Sequence, residues 1–170
     1  MKLKINNTYF LLIIIWILCA SCGVYSFNQG SIGPDVKTIS IANFYNESGN
    51  GPPNLGQTFT ESLKSYYQQN SRLGIVKDNG DWQLEGRING WNLAPVAPQG
   101  DQTSAFTRLT INVQVKFTNT KDEKSSFEQG FSWYADFAAS ESPQAAEGRL
   151  IPEIFEKIIF NIFNKTTSDW

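Results

Sequence analysis

Few residues of this 170-residue chain could do chemistry, and most of those are carboxylates. There is no histidine, the side chain that most often serves as general base near neutral pH and as metal ligand. Triad hydrolysis and histidine-bearing zinc sites are thereby excluded. Cys19 and Cys22 are the two cysteines, too few for a cysteine-only zinc site, and no residue set calls for a metal or another cofactor. A two-carboxylate mechanism remains open, since glycosidic bonds are broken by one carboxyl as acid and a second as base or nucleophile. Glu85 and Glu128 on expected strands, with Asp81 and Asp136 near strand ends, are the candidates. Acidic residues on outward strand faces usually do no more than meet solvent. Cys22 offers different chemistry: its thiol can carry a thioether-linked lipid, which a serine hydroxyl there could not.

The surroundings of Cys22 favour that use. Lys2 and Lys4 precede an unbroken apolar run, Phe10 to Leu18, which ends in Cys19, Ala20, Ser21, Cys22 and Gly23. Basic, apolar, then small is the order of a secretory signal peptide. The run is about half the roughly 20 residues that a spanning helix needs. Leu18 to Cys22 resembles the lipobox of bacterial lipoproteins, which implies cleavage between Ser21 and Cys22 and lipid on Cys22. The expected organisation is a signal peptide over residues 1–21, a lipidated tether over 22–34 and one domain over 35–170. The tether rests on the Gly- and Pro-bearing stretch Asn28 to Pro34, which reads as a short flexible link. After cleavage Cys22 is the only cysteine, so the fold must hold without a disulfide even in an oxidising compartment.

About 150 residues then remain, enough for one domain of ordinary size with a real core. Without Lys2 and Lys4 the 14 basic residues become 12 against 16 acidic, a net charge of −4. With no basic block in the chain, nucleic acid is disfavoured as a partner.

The elements that position these residues follow from periodicity. Val36 to Phe44 has β-branched residues at strand spacing, with Ile39 and Ile41 on one face, and Asn46 to Pro53 ends it as a loop. Leu55, Phe59, Leu63, Tyr66 and Tyr67 recur near every 3.6 residues, which predicts a helix capped at Asn54 and running to about Asn70. Leu73 to Lys77 and Trp82 to Leu93 flank Asn79-Gly80, a dipeptide suited to a type I′ turn, so a hairpin is predicted. Leu109, Ile111, Val113, Val115 and Phe117 alternate with Thr110, Asn112, Gln114 and Lys116, the period of a half-buried strand. Beyond the polar loop Asn119 to Ser126, a second such strand carries Phe127, Phe131, Trp133, Ala135 and Phe137 on one face, and the two should pair as a long hairpin. Ser142-Pro143 reads as an N-cap with Pro at the first helical position. An apolar stripe from Leu150 to Phe163 makes a second helix, with Pro152 marking a kink or restart.

The architecture expected is α+β: a two-layer sandwich of a mostly antiparallel four- to five-stranded sheet with two helices on one face. A right-handed crossover is expected if the first helix returns the chain to a parallel neighbour. Trp82 and Trp133 fall in phase with the apolar faces and read as core. Trp91 falls on the polar register of its strand, so it is either exposed at a contact surface or re-aimed by a bulge near Gly90.

The stretch CGVYSFNQGSIGPDVKTISIANFYN, the helix start LGQTFTESLK and the block RLTINVQVKFTNTKDEKSSFEQGFSWYADF are similar to the LptE lipopolysaccharide-assembly lipoproteins of Bacteroidetes-type bacteria. The likeness runs from Cys22 to the C-terminal NIFNKTTSDW and includes no short catalytic motif. It implies an outer-membrane lipoprotein, a small sandwich that plugs the lumen of the LptD β-barrel and helps deliver lipopolysaccharide to the outer leaflet. Val24, Tyr25 and Ser26 lack the acidic run that resembles a surface-export signal, so a periplasm-facing anchor is expected. Thr110, Asn112, Gln114 and Lys116 suit the polar interior of a barrel, and suit plain solvent as well. Lipopolysaccharide phosphates would want Arg or Lys; Arg87, Arg108 and Lys116 are the candidates, and they fit solvated surface charges equally. The competing readings are an interaction module for another envelope machine, such as a secretin pilot or a Tol-like assembly factor, and a two-carboxylate glycan hydrolase.

Overall fold

A computed structural model describes residues 32–96 and 105–168. The signal peptide, Ser21, Cys22 and most of the tether lie outside the described residues. Six strands and two long helices follow in order: β1 (Thr38–Ile41), β2 (Tyr45–Asn46), α1 (Leu55–Asn70), β3 (Gly74–Val76), β4 (Trp82–Val96), β5 (Phe106–Asn119), β6 (Phe127–Ala138) and α2 (Pro143–Thr167). The fold is the expected α+β sandwich of two layers, and its sheet is mixed. The strand order is β3-β1-β4-β5-β6, with β2 pairing β4 beyond the end of β1. The pairs β1–β3, β1–β4 and β2–β4 are parallel; β4–β5 and β5–β6 are antiparallel.

Period-two strands and 3.6-period helices meet in one core. Ile39, Ile41, Leu84, Ile88, Ile111, Val113 and Val115 present the inner sheet face, each nearly or wholly buried. Onto them α1 sets Leu55, Phe59, Leu63 and Tyr67, and α2 sets Leu150, Ile154, Phe155, Ile158, Ile162 and Phe163. Burying side chains of this size stabilises by roughly 1.5–3 kcal/mol each. Phe59 joins the layers, its ring 5.0 Å from both Phe44 and Phe155. Tyr67 packs 5.1 Å from Phe163 and places its hydroxyl 2.6 Å from Thr166 Oγ1.

Helix α1 starts at Asn54 without a side-chain cap bond. Its first turn is held by Thr60 instead, whose Oγ1 accepts from Phe44 N at 2.9 Å and donates to Gly56 O at 2.8 Å. Gly56 permits that approach, since a Cβ there would lie 2.3 Å from Phe44 O. Helix α2 starts as expected: Ser142 Oγ accepts from Ala145 N at 3.3 Å, with Pro143 in the first turn. It then runs through Pro152 without a restart.

Three expectations need correction. The predicted hairpin of Leu73–Lys77 with Trp82–Leu93 does not form, because β1 lies between β3 and β4 and both run parallel to it. The Asn79-Gly80 segment is a short crossover that passes over β1: Gly80 N donates to Ser40 Oγ at 3.2 Å, and Asp81 Oδ2 accepts from Lys37 N at 2.9 Å and Thr38 N at 3.1 Å. Only Asn79 has the positive φ, 55°, while Gly80 serves by lacking a Cβ, which would lie 2.4 Å from Ser40 N. The strand expected over Val36 to Phe44 is likewise shorter, Thr38–Ile41: the chain stays beside β4 but slips one residue in register between the Ile41–Leu84 and Tyr45–Arg87 pairs, and Phe44 N bonds Thr60 Oγ1 there. Trp82 is core, but Trp133 is 39% exposed: it has the inward phase, yet β6 is an outer strand of the sheet and shields it from one side only.

Trp91 resolves to the bulge reading. The β4–β5 register shifts between Ile88 and Gly90, and beyond it Trp91 lies opposite the buried Ile111. One extra residue reverses the facing of every later side chain on the strand. Trp91 therefore packs on the core edge, against Gly51.

Candidate functional site

The outward rows of β4, β5 and β6 carry the polar residues that alternate with the core. Among the described residues no further layer covers this face. Register places Lys116 between Glu85 and Glu128, Arg87 beside Gln114 and Tyr45, and Arg108 beside Asp136. Lys116 Nζ donates to Glu85 Oε1 at 2.7 Å, and Gln114 Nε2 to Glu128 Oε1 at 3.2 Å. Arg87 Nε lies 3.2 Å from Glu47 Oε2. Arg108 grips Asp136 with two hydrogen bonds, 2.7 and 2.8 Å, while its guanidinium carbon sits 3.7 Å above the Tyr134 ring. Ser132 Oγ donates to Asn112 Oδ1 at 2.6 Å.

The ionic partners tune one another. The Glu85 hydrogen bond raises the Lys116 ammonium above its ordinary pKa, and the Asp136 hydrogen bond does the same for Arg108. In return Arg108 holds the Asp136 carboxyl below its usual range. All these side chains are substantially exposed, so solvent screens each pair and leaves it little net effect on stability. Their larger effect is to fix orientation and cancel charge locally.

The three basic candidates thus share one face without forming one cluster. Arg87 and Lys116 are near neighbours around a groove of about 390 Å³, walled also by Tyr45, Glu47, Glu85, Gln114 and Glu128. Arg108 stands eight residues from Lys116 along β5, roughly 27 Å at strand rise. Each already holds a carboxylate. The acidic candidates are engaged in the same way: Glu85 and Glu128 flank Lys116, and Asp136 holds Arg108. Asp81 accepts from Lys37 N, Thr38 N and Thr38 Oγ1 and pairs with Lys121 at 3.0 Å, which keeps its carboxyl well below the usual range. A glycosidase acid needs the opposite tuning, a raised pKa that keeps its proton near neutrality. Among the described residues no group of three acidic, His or Cys side chains is placed to hold a metal, and no helix is long and apolar enough to cross a membrane.

Residue-type reasoning passed over the exposed aromatics. Tyr45 is 69% and Tyr134 46% exposed, and the Trp133 and Tyr134 rings lie nearly parallel, 6.2 Å apart. Tyr134 was open to detection, because it shares the outward phase of Ser132 and Asp136.

Fold and face together define an α+β sandwich module whose distinguishing surface is a broad, internally paired polar sheet. Within that class the chain belongs to the LptE family, described as lipopolysaccharide-assembly, whose model matches residues 36–166. No curated protein matches the sequence. Among solved structures, a minor lipoprotein from Acinetobacter baumannii aligns with a TM-score of 0.52 at 13% identity, over 78% of this chain and 93% of that one. A hypothetical protein from Chlamydia trachomatis aligns at 0.51 and 10% identity, over 77% and 98%. An uncharacterized lipoprotein B from Nitrosomonas europaea aligns at 0.51 and 10%, over 78% and 83%. At such identities the likeness speaks for the fold alone.

Proposed function

We propose that this chain is an exported lipoprotein, cut between Ser21 and Cys22 and anchored through lipid on Cys22 at the periplasmic face of the outer membrane. There it plugs an LptD-type β-barrel and assists lipopolysaccharide transport without catalysing a reaction. The observation that carries the reading is the LptE family match over residues 36–166. The polar sheet face, whose basic residues each hold a carboxylate, supports it, because the interior of such barrels is polar. Lipopolysaccharide contact through Arg87, Arg108 or Lys116 would require a lipid phosphate to displace Glu47, Asp136 or Glu85 from its cation.

The test is recovery of the full-length protein from detergent-solubilised outer membrane. A large β-barrel in near-stoichiometric yield is expected, and depletion should leave lipopolysaccharide stalled short of the cell surface. Recovery of a secretin or of soluble periplasmic proteins alone would overturn the reading in favour of another envelope machine. Turnover of envelope glycans by the purified protein would overturn its non-catalytic part.

A further inference from the structure

The sandwich has two faces that a barrel wall could meet, and they differ in kind. The helical face exposes long side chains with sparser cross-links: Gln68 and Glu61 on α1, Glu61 held by Gln57 Nε2 at 2.9 Å, and Glu153, Glu156 and Lys157 on α2, the last two a loose pair at 3.7 Å. Ordering such chains on binding costs entropy. The uncovered sheet face is already ordered. Lys116–Glu85, Arg108–Asp136, Gln114–Glu128 and Ser132–Asn112 hold one another at 2.6–3.2 Å before any partner arrives. It also carries Arg and Tyr, types enriched where binding energy concentrates, with Arg108 over Tyr134 and Tyr45 largely exposed.

Charge decides which partner fits. Arg87, Arg108 and Lys116 are each matched on the face by a carboxylate within 3.2 Å. A strongly charged partner would have to break those pairs, whereas a wall of neutral polar groups can lie against them and has one further charge to cover, Glu128, which Gln114 Nε2 already bonds at 3.2 Å beside Lys116. We propose that the uncovered face of β4, β5 and β6, and not the helical face, is the surface that lies against the polar inner wall of the barrel. This inference rests on the plug reading.

The test uses the full-length protein in membranes, with a photo-crosslinking residue placed at Thr110 or Asn112 on the sheet, or at Gln68 or Glu153 on the helices. Barrel-sized adducts should form from the two sheet positions at least fivefold more strongly than from the two helix positions. Adducts equal or stronger from the helices would overturn the inference, and so would sheet-position adducts to lipopolysaccharide in place of the barrel. As a second arm, Thr110→Arg should lower barrel recovery at least fivefold while the purified variant unfolds at the wild-type temperature. Unchanged recovery would count against the sheet face. Barrel recovery by the wild type with helix-only crosslinks would sink this inference and leave the plug reading intact; no barrel recovery by the wild type would sink the plug reading itself.

Discussion

Gly80→Ala tests the crossover that separates β3 from β4. A Cβ at residue 80 would lie 2.4 Å from Ser40 N and 2.7 Å from both Ile39 C and Trp82 O, about 1 Å inside the 3.4 Å at which ordinary contact begins. All three atoms are backbone of paired strands, so relief must come from moving the crossover off β1. Overpacking of this sort costs about 1–3 kcal/mol. Lifting the segment also breaks the Gly80 N–H to Ser40 Oγ hydrogen bond, roughly another 1 kcal/mol. The expected loss is thus about 2–4 kcal/mol, a large share of the roughly 5–15 kcal/mol that holds a typical domain folded. Urea unfolding followed by tryptophan fluorescence would show the midpoint falling by about 1–2 M for a slope near 2 kcal/mol/M. The companion variant Asn79→Gly should stay within about 0.5 kcal/mol of wild type, since glycine accepts the positive φ at that position without strain. A loss below about 0.5 kcal/mol for Gly80→Ala would refute the packing of this segment against β1.

Three further outcomes are expected. Tyr67→Phe should cost about 0.5–1.5 kcal/mol, because Thr166 Oγ1 keeps its bond to Phe163 O; Thr166→Val should cost more, about 1–3 kcal/mol, because it strands the fully buried Tyr67 hydroxyl, and chemical denaturation of both variants would expose a reversed order. The carboxyls of Asp81, held down chiefly by the Lys37 backbone N–H, and Asp136, held down by Arg108, have folded pKa values below their ordinary ones, so their stabilisation is present above about pH 4 and lost as pH falls through the folded values. Urea midpoints at pH 7, 4 and 3 should decline, and Asp81→Asn should flatten part of that decline; parallel profiles would contradict the assignment. Cys22→Ala should abolish acyl labelling and weaken retention at the outer membrane while the protein still folds, and labelling that persists would place the modification elsewhere, as at Cys19.

The elements that repeat a strong local pattern were legible. Alternation from Leu109 to Phe117 and from Phe127 to Phe137 located β5, β6 and their pairing, and the 3.6-residue stripes located α1 and α2. The Asn79-Gly80 link was misread because five residues cannot reveal that a strand some forty positions earlier fills the place between β3 and β4. Trp133 was misread because phase names a face but not a strand's place in the sheet. Of the candidate site, the types and facing of Arg87, Arg108 and Lys116 were visible; their partners were not. Glu85 and Asp136 lie 31 and 28 residues from Lys116 and Arg108.

Histidine content, cysteine count, the signal-like start and the two periodicities are properties of the chain alone. They bounded the chemistry and determined which side of each element faces inward, because burial responds to spacings of two and 3.6 residues that any short window contains. Strand order, the β4 bulge that turns Trp91 inward and the neutralisation of every basic candidate were decided only in three dimensions. Each depends on hydrogen bonds or ion pairs between residues tens of positions apart, where local pattern carries no information about which partner arrives.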